Sequence, residues 1–271
     1  MTVYPFLIHL GGFTITGYGI MMMVAFLLAG WIYARELERV KRDPGLAWDA
    51  VVAAVIGGIV GAKIYYALLV GDMDALFSRG GLVWYGGFAG GVLAVCLLLW
   101  WKKQSIAVQS DLVAPALAAG YAVGRIGCFL VGDDYGLPTS VPWGVAFPQG
   151  SPPTTARVME REFGVTLPPG TPPDQVLAVH PTQLYEVLIT LAIFALLWRA
   201  RRHVNRPGWL FAVFLILMGM ERIFVEIFRA KDDRFLGPFT LAQTISVAMI
   251  LVGAWLYARF RQNSAEVRAT A

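Results

Sequence analysis

The chain has 271 residues, 57% of them hydrophobic and 15% charged, with a mean hydropathy of +0.61. Soluble domains average about 25% charged residues, so this composition excludes a soluble globular protein and points to one polytopic bundle in a membrane. The net charge of +4 does not indicate nucleic acid, because the basic residues sit in short segments between apolar runs, as anchors at an anionic membrane face do.

Seven apolar runs are long enough to cross a bilayer as helices: 14–34, 47–70, 83–101, 111–131, 182–199, 208–228 and 239–259. Runs of this length exclude barrel strands, which need about ten residues. The expected fold class is therefore an all-α polytopic membrane protein with seven transmembrane helices, forming a single domain over 1–271. Met1 to Gly12 has no basic stretch and no small-residue cleavage site, so the first run is read as an uncleaved signal anchor.

Lysine and arginine set the orientation. Arg35, Arg39, Lys41, Arg42, Lys102, Lys103, Arg199, Arg201, Arg202, Arg206, Arg259, Arg261 and Arg268 fall on one side, and Arg79, Arg157, Arg161, Arg229, Lys231 and Arg234 on the other. Thirteen against six places the N-terminus outside and the C-terminus in the cytoplasm, as an odd number of spans requires. The long segment 132–181 then lies outside. It is rich in proline and glycine, and a loop of that length is expected to fold into a cap or to be functional.

In chain order, the first polar residue inside a run is Lys63, which follows Gly57, Gly58 and Gly61; it either snorkels to the interface or contributes to an anionic lipid site. Gly80 to Gly87 opens the third run with Trp84 and Tyr85, either interfacial belt residues or, for Tyr85, a phenol in proton transfer. Arg125 lies in Gly124-Arg125-Ile126-Gly127-Cys128-Phe129, followed by Gly132, Asp133, Asp134 and Gly136. An arginine at the centre of a membrane helix costs about 2.5 kcal/mol or more. His180 to Glu186 begins the fifth run, with Gln183 and Glu186 on one face.

The sixth run carries Glu221, Arg222 and Glu226. Two readings of Arg125 and Arg222 stand. Their planar forks match a phospholipid phosphate, or they are held in internal ion pairs, Arg222 with Glu226 one turn away. Glu221 reads as part of a charged network that orients Arg222. Cys96 and Cys128 read as packing residues. No histidine or cysteine pair has metal-ligand spacing, and Asp133-Asp134 alone is not a site, so neither a metal nor another cofactor is expected.

These motifs resemble the bacterial phosphatidylglycerol–prolipoprotein diacylglyceryl transferases over nearly the whole chain. The resemblance is carried by Thr16-Gly17-Tyr18-Gly19, Gly61-Ala62-Lys63, Gly80 to Gly87, Ser110-Asp111 with Pro115, and the Arg125 signature with Gly132 and Gly136. It continues in Pro142 to Val145, His180 to Glu186, and Arg222 to Arg229. It implies an enzyme of the bacterial inner membrane that moves the diacylglyceryl group of phosphatidylglycerol to the lipobox cysteine of a prolipoprotein, the first step of lipoprotein maturation. It further implies that Arg125 and Arg222 hold the phosphate, that Tyr18, Glu226, Arg229 and Gln243 line or support the site, and that Gly136 shapes the loop where the protein substrate enters.

Many members have histidine where this chain has Tyr85, asparagine where it has Cys128, and glycine where it has Ala242. Phenols titrate near 10 and are poor bases at neutral pH. A related lipid transferase with another acceptor is therefore one alternative. A lipid or anion transporter with an arginine-lined path is another, which an inverted repeat would mark; the sequence shows none.

Overall fold

A computed structural model describes residues 1–11, 13–77, 81, 83–203, 206–230, 234–236 and 239–269, with the side chains of residues 10, 13, 203, 234–236 and 260–269 outside the description. Arg79, Gly80, Leu82 and Lys231, and the side chains of His203, Arg234, Arg261 and Arg268, therefore lie outside the described residues.

Among the described residues there are eight α-helices: α1 (Gly17–Arg39), α2 (Gly45–Val70), α3 (Trp84–Trp101), α4 (Ile106–Val131), α5 (Ala156–Phe163), α6 (Thr182–Ala200), α7 (Trp209–Glu226) and α8 (Leu241–Ala269). Each of the seven expected runs coincides with a helix. Six helices are long and apolar enough to cross a membrane. The exception among the expected seven is α7, which has the length but carries Glu221, Arg222 and Glu226. The chain is thus a multi-pass membrane protein. Its helical fold also contains two short antiparallel hairpins that the apolar pattern does not announce, β1 (Leu7–Leu10) with β2 (Phe13–Thr16) and β3 (Arg234–Leu236) with β4 (Phe239–Thr240).

Small residues bring α2 and α3 together. A methyl group on Gly57 would meet Ala94 Cβ and the Gly90 carbonyl, and one on Gly61 would meet the Gly86 carbonyl. Two glycines four apart on each helix therefore permit backbone contact, where dispersion drives association that lipid does not.

Helix α4 is the central element, with 56% of its apolar window buried against 11% for α2. It packs on α1, α6 and α7. Asp111, near its start, reaches the first turn of α7: its two carboxylate oxygens accept from the amides of Gly208 (2.6 Å) and Phe211 (2.8 Å). This caps a buried helix start from a neighbouring helix and fixes α7 against α4.

Helix α4 ends at Gly132, whose backbone is left-handed (φ 67°) and whose Cβ would strike Phe147. The segment between α4 and α6 packs around Tyr135, Val145, Phe147, Met159 and Val179, joined by Ala230 from beyond α7. Tyr135 donates its hydroxyl to the Pro152 carbonyl at 2.8 Å. At the end of the bundle where α4 and α7 finish and α6 begins, the Gly136 amide donates to the His180 carbonyl and the Leu137 amide to the Phe228 carbonyl, both at 2.8 Å. A cavity of about 300 Å³ lined by Arg42, Asp43, Leu46, Lys102 and Gln104 belongs to the opposite end.

Candidate functional site

Three helices bring their charged residues to one end of the bundle. Arg125 lies two turns before the end of α4, Glu186 one turn into α6, and Arg222 one turn before the end of α7, with Arg229 just beyond that helix. At the centre is Glu186, whose side chain is 0% exposed. One of its oxygens pairs with Arg125 Nε; the other accepts from Arg222 Nη1 at 2.7 Å and lies 4.0 Å from Arg229. Tyr121 reaches the same carboxylate from α4 at 3.4 Å. Arg125 and Arg222, on different helices, are thus tied to the two oxygens of one carboxylate.

The remaining carboxylates complete a closed network. Glu226 lies 3.1 Å from Arg222 and 3.7 Å from Arg229. Asp134 accepts from Arg125 Nη1 at 2.9 Å and from Arg229 Nη2 at 2.5 Å. Three cations and three anions are in direct contact, which satisfies the rule that buried charge is paired. The ion-pair reading of Arg222 with Glu226 is therefore realised, and Arg125 has its acids on other elements. Arg222 is the most open of the three arginines, with a side-chain exposure of 21% against 9% for Arg125 and 4% for Arg229. Glu221 departs from the expectation that it orients Arg222. Neither of its buried carboxylate oxygens has a hydrogen-bond partner among the described residues, and Glu186 and Glu226 do that work.

Gln243 supports the network at one remove. Its side-chain oxygen accepts from the Thr240 amide, and its own amide donates to the Thr240 hydroxyl, both at 3.1 Å. This reciprocal pair is a capping box at the start of α8. The Thr240 hydroxyl in turn donates to Glu226 at 2.9 Å, so the start of α8 positions the carboxylate that holds Arg222.

Tyr18 opens α1 against Gly127, where a Cβ would come within 3.3 Å of the Tyr18 backbone. Its phenol interacts electrostatically with Arg125, Cys128, Asp133 and Asp134. The Gly136 amide donates to the His180 carbonyl at 2.8 Å, and its backbone is bridged to Arg229. A side chain there would strike the Phe228 carbonyl and lie 2.8 Å from His180 Cβ, so only glycine fits. Among the described residues Tyr85 has no hydrogen bond to the ion-pair network. Tyr85 is at the start of α3, edge-on to Trp84, and Lys63 is half-buried on α2.

Cys128 is buried and accepts from Arg125 Nη1 at 3.2 Å. Its sulfur and the carboxylate oxygens of Asp133 and Asp134 lie within 4.8 Å of one another. The positive charges serving this trio are the Arg125 and Arg229 guanidinium groups. Beyond the end of α4, the two aspartates diverge. Burial alone would raise the Asp134 carboxyl, but the charges of Arg229 and Arg125 hold it well below the usual range. Asp133 is pushed up to about 6 by burial and by the neighbouring Asp134 charge.

The folded chain therefore holds the Asp133 proton more tightly than an unfolded chain, in which the ordinary value is 3.8. Its contribution to stability is fully present below that value and is lost as pH rises through about 6. Asp133→Asn is expected to raise the melting temperature of the detergent-solubilised protein at pH 7.5 and to leave it nearly unchanged at pH 4. Equal shifts at both pH values would contradict this.

The sequence reading missed Glu186 and Asp134 as site residues. The available signal for Glu186 was a carboxylate inside an apolar run with no basic residue before Arg199 on its own helix. For Asp134 it was an acid directly after the Arg125 signature.

A family model described as prolipoprotein diacylglyceryl transferase matches residues 5–259. Several curated proteins named phosphatidylglycerol–prolipoprotein diacylglyceryl transferase are similar to this chain. The one from Nostoc sp. is 33% identical, covering 95% of this chain and 90% of its own length. That from Burkholderia thailandensis is 32% identical, covering 94% and 95%. That from Clostridium tetani is 30% identical, covering 96% and 99%.

Proposed function

The chain belongs to the prolipoprotein diacylglyceryl transferase family, and we propose that it moves the diacylglyceryl group of phosphatidylglycerol to the lipobox cysteine thiol of a prolipoprotein. In the reaction the cysteine sulfur attacks the glycerol carbon that carries the phosphate ester. A C–S bond forms, the C–O bond breaks with its electron pair going to oxygen, glycerol phosphate leaves, and the thiol proton passes to an acceptor. The phosphate gains negative charge as the bond breaks, so fixed cations beside it favour the transition state more than the ground state.

The observation that carries this reading is the pair Arg125 and Arg222 anchored on the two oxygens of Glu186. A guanidinium already held in place needs no reorganisation when charge develops, which is where electrostatic catalysis gains most. Arg125 and Arg222 bind the phosphate, Arg222 through its exposed edge. Glu226 and, through Thr240, Gln243 hold Arg222 in position, and Arg229 lines the same site. Tyr18 lines the site, and Lys63 contributes to binding of the anionic lipid. The lipobox segment enters past Gly136, under the cap. In this reading α7 is a seventh span and the lysine and arginine bias holds, so that this end and the segment 132–181 lie on the outer side of the inner membrane. The N-terminus is then outside and the C-terminus cytoplasmic.

Tyr85 is the thiol's proton acceptor in this reading. His180 is a second group to test, because burial lowers its pKa and keeps the imidazole neutral at pH 7. The pH profile separates them. A phenol acceptor gives a rate that climbs toward pH of about 10 and is lost in Tyr85→Phe. An imidazole acceptor gives a limb below the ordinary histidine value of 6.5 that Tyr85→Phe does not alter.

The function itself is tested by release of glycerol phosphate from phosphatidylglycerol in proteoliposomes. Release that depends on a lipobox peptide, and stops when its cysteine is replaced by serine, is the expected result. Release that ignores the peptide would overturn it.

A further inference from the structure

The three arginines differ in how their carboxylate partners face the surroundings. The side chains of Glu186 and Glu226 are 0% and 2% exposed, so nothing from outside replaces them without opening the bundle. The Asp134 side chain is 43% exposed, and among the described residues it is the exposed carboxylate that joins Arg125 and Arg229, one oxygen to each. Its backbone is left-handed (φ 56°), a conformation that aspartate and asparagine tolerate better than most residues. Arg125, buried in the same place, keeps one further donor, Nη2, with no hydrogen-bond partner among the described residues. Two guanidinium groups joined by one exposed carboxylate, with a buried donor left over, form an anion site filled from within. A phosphate has enough oxygens to take both donors that Asp134 occupies and the one it leaves unused.

We propose that Asp134 is an internal stand-in for the phosphate of the lipid donor. Its carboxylate holds Arg125 and Arg229 in register without lipid, and it is displaced when an anionic phosphate arrives. The inference rests on the reading of Arg125 as a phosphate-binding group.

The competition scales the affinity by the fraction of time Asp134 spends away from the arginines. A site that is free about one-tenth of the time binds about tenfold more weakly than an empty one. The same competition works in the direction of product release, because the returning carboxylate displaces glycerol phosphate. Asp134 is thus a positioning residue that trades donor affinity for turnover.

Asp134→Asn is the variant of choice, since it removes the charge and keeps the side-chain shape and the left-handed backbone. Inorganic phosphate is titrated into the full-length protein in nanodiscs made of a zwitterionic lipid. In a second arm, the apparent KM for phosphatidylglycerol is measured in transfer assays. Phosphate is expected to bind the variant about tenfold more tightly than wild type, and KM to fall without a rise in kcat. Phosphate affinity equal to or weaker than wild type, in a variant that melts cooperatively, overturns the proposal.

Should the variant not fold, the wild-type protein gives the answer. Carbodiimide labelling of Asp134, read by mass spectrometry, is accelerated by saturating glycerol phosphate if the carboxylate is displaced. An unchanged labelling rate overturns the proposal. Phosphate binding needs no acceptor peptide, so the two readings fail separately. Tighter phosphate binding by Asp134→Asn in a protein that makes no thioether would keep the anion site and sink the transfer. Normal transfer with unaltered phosphate affinity would do the reverse.

Discussion

Arg125→Ala is expected to lower kcat/KM for transfer from phosphatidylglycerol by about 10³-fold or more, the size of loss seen when one preorganised donor to a developing oxyanion is removed. Arg125 is fixed by Glu186 through Nε and faces Asp134 through Nη1, so its outer edge is the part available to a phosphate. Arg125→Lys keeps the charge but not the fork. One ammonium cannot hold Glu186 and grip a phosphate in the same planar geometry, and a loss of about 10²-fold is expected. Arg222→Ala should fall in the same range as Arg125→Ala, because both guanidinium groups share one carboxylate. The measurement is initial rate against labelled donor at several concentrations, with the melting temperature recorded in parallel. Activity within a few fold of wild type in either alanine variant would falsify the clamp.

Glu186→Gln is expected to damage stability and transfer together. The wild-type carboxylate touches Arg125 and Arg222 and approaches Arg229, and a neutral amide leaves buried guanidinium charge unpaired. Breaking a buried pair in this way costs about 3–5 kcal/mol. The double variant Glu186→Gln with Arg222→Gln removes one charge of each sign. It is expected to be less destabilised than the sum of the two single variants, because the partners are coupled. Thermal melting in detergent reads this directly. A Glu186→Gln protein as stable as wild type would mean that the arginines find other partners and that Glu186 is not their anchor.

What could be read in the sequence follows from the kind of signal each feature leaves. The helices were legible because every apolar run had to satisfy its own backbone in lipid, and seven runs coincide with helices. The hairpin of β1 and β2 was not, since four-residue strands beside a membrane helix leave no periodic trace. Arg125 and Arg222 were legible because a charge inside an apolar run is costly wherever it sits. Their pairing was not, since it depends on α4, α6 and α7 meeting at one end, and only Arg222 with Glu226 is local in sequence. Gln243 was legible through family resemblance, but its physical part, capping α8 and fixing Glu226 through Thr240, appears only with the hydrogen bonds in view. Glu221, adjacent to Arg222 in sequence, leaves its carboxylate without a hydrogen-bond partner among the described residues, because neighbouring residues on a helix do not face the same way.

Joining a diacylglyceryl group to a cysteine sulfur at the arginine centre leaves a permanent change of mass on the acceptor peptide. The most direct measurement is the mass of a lipobox peptide after incubation with the purified protein and phosphatidylglycerol of defined chain length. The expected result is a gain equal to one diacylglyceryl group, resistant to thioester-cleaving hydroxylamine, located on the cysteine, and absent with Arg125→Ala. A folded wild-type protein that binds the lipid and leaves the peptide mass unchanged would contradict it.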